Sequence, residues 1–156
     1  MYVPQVTDAF RCSPPVLHLL REMSAPVLPP VQATFRAIAL TVVPEAASLS
    51  DSEWSLVEGI IEDALARRPA GVRRQLRLLI RALDLLPLLR YGRRFTSLDS
   101  ATRLAFLDVM QRFPILLVRR GVWGLRTLVF MGYYARPEAG ELIGYRADAR
   151  GWGARR

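Results

Sequence analysis

Apolar residues recur at intervals of three and four along most of this chain, which is the spacing of an amphipathic helix. The pattern begins at Val31 and ends at Pro44, a residue that cannot continue a helix. A second segment begins at Ser50, where Ser-Asp-Ser-Glu forms a capping box with Glu53, and it stops before Pro69. The residues predicted to face inward in these two helices are Phe35, Ile38, Ala39, Val42, Trp54, Val57, Ile61, Ala64 and Leu65.

Three longer helices are predicted after Pro69. The first spans about Gly71–Tyr91 with a kink at Pro87, the second is capped by Asp99, and the third runs from Pro114 to about Tyr134. Their predicted inward residues are Val72, Leu76, Leu79, Ile80, Leu83, Leu86, Leu104, Leu107, Val109, Met110 and Phe113. The last helix contains Gly121, Gly124 and Gly132, and each glycine costs about 1 kcal/mol relative to alanine. Close helix packing or a break in the helix would explain them.

The pattern therefore predicts an all-α fold, a compact bundle of about five to six helices. No run of alternating polar and apolar residues is long enough for a sheet. Residues 1–30 hold six of the eleven prolines and are interpreted as a proline-rich arm with one short helix at Pro15–Met23. Residues 31–148 form the predicted helical domain, and residues 149–156 form an irregular tail.

Composition indicates that some apolar surface remains exposed and is available to a partner. Hydrophobic residues make up 51% of the 156 positions, and a domain of this size has too little interior to bury them all. All 22 basic residues are arginine, and the net charge is +8. Residues 1–66 carry three arginines against eight acids, whereas residues 67–156 carry nineteen against six. A basic half of this kind suits carboxylates or phosphates on a partner.

The sequence nominates no catalytic, cofactor-binding or metal-binding residue. Cys12 and His18 are the single cysteine and histidine, so neither a disulfide nor a cysteine–histidine zinc cluster can form. Glu58, Glu62 and Asp63 are interpreted as a solvated acidic face, because they lack the histidines of a di-metal bundle. No glycine-rich phosphate-binding motif is found. The interpretation is a chain without a catalytic centre.

Two groups of residues are candidates for a partner interface. One is a stripe of arginines at spacing four, and the other is a set of aromatic residues near the C-terminal end, where tyrosine and tryptophan suit interfaces. The candidates are Arg73, Arg77, Arg81, Tyr133, Tyr134, Tyr145 and Trp152. The alternatives are that the arginines form a merely solvated helix face and that Tyr133 closes the core of the domain itself.

Three segments resemble a known family. They are Thr34-Phe35-Arg36-Ala37 through Val42-Val43-Pro44; Arg94-Phe95 with Leu98, Arg103 and Leu107; and Tyr133-Tyr134 through Pro137-Glu138 to Ile143-Gly144-Tyr145. Together they resemble the gluconate 2-dehydrogenase subunit 3 family over about residues 31–148. Members of that family are small helical subunits that accompany flavin-dependent oxidoreductases of the glucose–methanol–choline type.

The resemblance implies a non-catalytic subunit that binds and stabilises a larger FAD-dependent alcohol or sugar oxidoreductase. FAD is then expected in the partner and not in this chain, and a further electron-acceptor protein could join the complex. Many relatives carry the export signal of the complex. Here neither a signal peptide nor a twin-arginine motif is found, so a cytoplasmic complex is expected, with periplasmic co-export as the alternative.

A different class of function is the alternative hypothesis, an arginine-rich helical module that binds nucleic acid or an anionic membrane surface. Nucleic acid is not favoured, because the apolar surplus does not suit a phosphate-facing surface and no helix-turn-helix or RNP pattern is found. A transmembrane segment is not predicted, since arginines interrupt both of the longest apolar stretches, 76–89 and 114–134.

Overall fold

The computed structural model of the chain describes residues 26–136, 138, 139 and 144. Within them lie six α-helices and no strand, so the predicted all-α fold is confirmed. The helices are α1 (Gln32–Val42), α2 (Asp51–Ala66), α3 (Ala70–Leu85), α4 (Leu88–Tyr91), α5 (Ser100–Gln111) and α6 (Leu116–Tyr134). Short 3₁₀ turns occupy Pro29–Val31, Pro44–Ser48 and Phe95–Ser97. The predicted helix at Pro15–Met23 and the tail 149–156 lie outside the described residues.

Both predicted helix caps are confirmed. At α2, Ser50 Oγ accepts from the Glu53 N–H, and the Ser50 N–H donates to Glu53 Oε2 at 2.8 Å, which completes the capping box. At α5, Asp99 Oδ1 accepts from the Thr102 N–H at 2.9 Å. Each cap satisfies backbone donors that have no partner inside the helix.

The structure differs from the prediction at two prolines, Pro87 and Pro114. The expected kinked helix over 71–91 is divided at Pro87 into α3 and α4, because proline has no N–H to donate to the preceding turn. Gly92 then ends α4 with a left-handed φ of 64°. The last helix begins at Leu116 and not at Pro114, since Ile115 keeps an extended backbone and serves as the N-cap.

The core is built around α1, which packs against α3, α5 and α6. Most of the circumference of α1 is buried. The largest fully buried side chains come from nearly every element and include Phe35, Ile38, Ile61, Ile80, Leu83, Phe95 and Leu125. Burial of such side chains stabilises the fold by about 1.5–3 kcal/mol each.

The packed region begins before residue 31. Val27 and Leu28 are buried, and both backbone N–H groups donate to Glu62 Oε1. These two residues were predicted to belong to the proline-rich arm. The interpretation of Glu62 as part of a solvated acidic face was also wrong, because its carboxylate satisfies two backbone donors that lie next to the core.

Several residues predicted to face inward are exposed. They are Val72, Leu86, Leu104 and Val109. Phe106, which was not predicted, is buried beside Phe95 at a ring-centroid distance of 5.9 Å. The periodicity identified the helices correctly but not always the side that meets the core, since α3 and α5 carry apolar residues on more than one side.

Two of the three glycines of α6 mark close helix packing, and the third does not. A Cβ at Gly132 would lie 2.7 Å from Ile61 Cδ1 and 3.1 Å from Val57 Cγ1, both in α2. A Cβ at Gly121 would lie 2.7 Å from Leu79 Cδ2 in α3. A Cβ at Gly124 would meet nothing within 4 Å. Glycine is therefore required where α2 packs on α6, whereas Gly124 only weakens the helix.

We expect Gly132→Ala to lower the free energy of unfolding by about 1–3 kcal/mol, because the new methyl group would overlap the fully buried Ile61 and force it to shift. The matched control is Gly124→Ala in the same helix, which should raise it by up to about 1 kcal/mol through helix propensity. Urea unfolding followed by circular dichroism measures both. Equal effects of the two substitutions would contradict the packing described here.

Candidate docking surface

The three arginines of the predicted stripe lie at different depths. Arg73 is only 5% exposed, Arg77 is half-buried, and Arg81 is exposed. The Arg77 Nε is buried and has no hydrogen-bond acceptor among the described residues. Arg73 is thus part of the interior of this fold, and Arg81 alone of the three is fully available to a partner.

The two described aromatic candidates also differ. Tyr133 is buried against the core, whereas Tyr134 is about half exposed. Their rings meet edge to face with centroids 5.1 Å apart. Tyr133 therefore closes the core, as the alternative interpretation had it, and Tyr134 presents the accessible ring. Tyr145 and Trp152 lie outside the described residues.

Arg136 is a structural residue that the interface prediction did not include. Its guanidinium is buried over the Tyr133 ring at 4.4 Å from the centroid. Its Nε donates to the Tyr133 carbonyl, and one terminal nitrogen donates to Glu53 Oε1, each at 3.1 Å. Glu53 lies in the first turn of α2, so this arginine joins the end of α6 to the start of α2. No local pattern reveals a contact between residues 83 positions apart.

Removing the Arg136 side chain should destabilise the fold. We expect Arg136→Ala to lower the free energy of unfolding by about 2–4 kcal/mol, since a buried carbonyl loses its donor and Tyr133 loses its stacked cation. Arg112→Ala is the control, because Arg112 forms an exposed ion pair with Asp108 that is worth less than about 1 kcal/mol. The midpoints of urea unfolding give both values. Similar losses of unfolding free energy in the two variants would show that Arg136 does not stabilise the contact between α6 and α2.

Glu53 also couples stability to pH. Hydrogen bonds from the side chain and backbone of Ser50, and then the charge of Arg136, lower the pKa of this carboxyl. A lowered folded-state pKa means that the ionised group stabilises the fold above its ordinary pKa. That contribution disappears as pH falls through the lowered value.

We therefore expect Glu53→Gln to be less stable than the parent at neutral pH and equally stable in strong acid. Glutamine can still complete the capping box but cannot ionise. Urea unfolding at a series of pH values from neutral downward measures the difference. A difference that stays constant with pH would indicate that the effect of Glu53 is purely steric.

A row of leucines on α3 and α4 is exposed, and we call it the leucine face. It consists of Leu78, Leu85, Leu86, Leu88 and Leu89. Exposed fractions in the first four are 40–53%, and Leu89 reaches 88%. An exposed apolar row of this kind on a small domain is typical of an interaction site.

The leucine face exists because α3 carries two apolar stripes. Leu76, Ile80 and Leu83 follow a spacing of four and three and pack into the core, and the buried Pro87 continues that line. Leu78, Ala82, Leu85 and Leu89 repeat the same spacing two residues later, and all four are exposed. Two residues correspond to about 200° around a helix, so the second stripe points away from the first.

The first two turns of α6 also expose apolar side chains. Ile115, Leu116, Leu117 and Trp123 are about half to three-quarters exposed. Leu117 lies one turn before Gly121, the residue that meets Leu79 of α3. Leu117 therefore lies on the side of α6 that borders α3.

Arginines lie along one edge of the leucine face and at its α4 end. Between residues 70 and 94 the chain has seven arginines and one acid, Asp84. Asp84 is engaged within the fold, where it accepts from Thr96 and lies 3.9 Å from an Arg94 nitrogen. Arg74, Arg81, Arg90, Arg93 and Arg94 are all exposed. The surface is thus apolar with a cationic border.

Three further kinds of feature bear on function: metal-binding clusters, cavities and membrane-spanning helices. No group of three or more histidine, cysteine, aspartate or glutamate side chains in that part of the chain is placed to hold a metal ion. A small cavity beside Phe35, Trp54 and Val129 has a lining that is apolar apart from Tyr133. Among the described helices, none has both the length and the apolar character to cross a bilayer. Cys12 and His18 lie outside the described residues.

Comparison of the chain with protein-family models, curated proteins and solved structures finds no match.

Proposed function

We propose that this chain is a non-catalytic small subunit that binds and stabilises a larger FAD-dependent alcohol or sugar oxidoreductase. The observation that carries the docking part of the proposal is the leucine face. The domain already has a core around Phe35, Ile61 and Leu83, and these leucines leave apolar surface that the core does not cover. An exposed apolar surface of this kind is best explained by a partner.

The roles of the glutamates of α2 also favour docking over catalysis. Glu53 binds Arg136, Glu58 binds Arg36 at 2.6 Å, and Glu62 accepts from two backbone N–H groups. A general acid or base must be able to reach a substrate, whereas these carboxylates are occupied within the fold. FAD and the catalytic base would then belong to the larger partner.

The class of partner comes from the three segments that resemble the subunit 3 family. Many of their residues are structural here: Phe35, Phe95 and Tyr133 are buried, and Arg103 donates to the Phe95 and Thr96 carbonyls. These residues build the core of this fold. Extending the resemblance to a flavoprotein partner is an argument by analogy, which the following experiment tests.

We expect the tagged full-length chain, expressed in its native host, to co-purify in fixed stoichiometry with a larger protein. The purified complex should have the visible absorbance of a bound flavin, and the isolated small chain should be colourless. Absorbance spectroscopy, mass spectrometry and light scattering measure these properties. A stable, colourless monomer would overturn the proposal. A co-purifying protein without flavin would overturn the oxidoreductase assignment.

A second candidate function is binding to a nucleic acid or an anionic membrane surface, favoured by the exposed arginines at 90, 93, 94, 119 and 120. This candidate requires binding to duplex DNA or to phosphatidylserine vesicles that weakens steeply as salt rises. The docking-subunit proposal requires neither. Titration of the colourless small chain with each ligand at several salt concentrations distinguishes the two functions.

A further inference from the structure

The leucine face combines four half-exposed side chains with one that is almost fully exposed. Leu78, Leu85, Leu86 and Leu88 are 40–53% exposed, and Leu89 is 88% exposed. A half-buried apolar row with one prominent side chain suits a partner surface that has a pocket for that side chain.

The charge around the face indicates the chemistry of the occupant. Arg74 and Arg81 lie seven residues apart along one edge of the outer stripe, and Arg90, Arg93 and Arg94 follow at the α4 end. The acid of this stretch, Asp84, is already engaged with Thr96 and with Arg94. The arginine border therefore has few carboxylates nearby in its own sequence, and guanidinium groups pair well with carboxylates at protein interfaces.

The same border disfavours a second copy of this chain. In a two-fold dimer the same patch occurs on both subunits, so the arginines of one copy would approach those of the other. Juxtaposed like charges oppose association. A partner with the opposite charge has no such penalty.

We infer that the leucine face docks against an apolar patch bordered by aspartates and glutamates on the larger subunit. This inference rests on the proposed function and adds to it the surface used and the chemistry of the partner. Leu89 is the expected anchor, because it is the most exposed side chain of the face. The exposed arginines form the rim that orients the two proteins.

The test uses a photo-crosslinking amino acid placed at position 89 or position 104 of the full chain. Leu104 is the matched control, because it is a 59% exposed leucine on α5, outside the leucine face. We expect position 89 to crosslink to the co-purifying flavoprotein, at a peptide rich in apolar and acidic residues, and position 104 not to do so. Tandem mass spectrometry identifies the peptides.

Other outcomes separate the surface from the function. Crosslinks to the flavoprotein from position 104 alone would overturn the inference and leave the proposed function intact. Crosslinks from position 89 to another copy of this chain, or sedimentation of the chain with phosphatidylserine vesicles through Leu89, would overturn the inference in favour of that occupant. Failure to obtain any flavoprotein complex would overturn both.

Two substitutions and one control supply an independent measurement on the purified complex. Leu89→Ser should raise the dissociation constant of the complex about tenfold or more, whereas Leu104→Ser should leave it nearly unchanged. Arg93→Glu should weaken binding at low salt, with an effect that shrinks as salt screens the rim. Both changes lie on exposed positions, and circular dichroism checks that the fold is retained. No effect of Leu89→Ser would overturn the inference.

Discussion

Helix α1 has to be buried on most of its sides, and this constraint organises the rest of the structure. Its eleven residues bury Thr34, Phe35, Ala37, Ile38 and Ala39, which leaves little of its surface for water. One neighbouring helix cannot cover so much circumference. Helices α3, α5 and α6 and the 3₁₀ turns at Pro44–Ser48 and Phe95–Ser97 share the task. Their amphipathic faces are explained by this arrangement.

The glutamates of α2 connect this helix to other parts of the fold around α1. Glu53 reaches the end of α6 through Arg136, Glu58 reaches α1 through Arg36, and Glu62 holds the chain before α1 at Val27. One helix thus binds three parts of the fold with charged side chains, each next to apolar packing. Charge-assisted hydrogen bonds of this kind are stronger than neutral ones, and they also fix position.

The sequence predicts what is encoded locally. Ser50 with Glu53, and Asp99 with Thr102, identify helix starts because a cap involves residues three positions apart. The bond from Val27 to Glu62 spans 35 residues, and no local pattern predicts it. The side of α3 that faces the core was predicted only in part, since helical periodicity is satisfied by either of its two leucine stripes. The burial of Arg73 runs against the usual position of arginine, so composition also could not indicate it.

Gly121 and Gly132 lie eleven residues apart on α6, about three turns and therefore on nearly the same side of the helix. One receives Leu79 of α3 and the other receives Ile61 of α2. Consecutive helices thus rest in two notches of a single helix, about 16 Å apart. At Gly121 the tip of the Leu79 side chain lies where a larger residue would place its Cβ, so α3 and α6 are close at this point. A substitution there would press on Leu79 and shift the outer stripe of α3 without changing any leucine of that stripe.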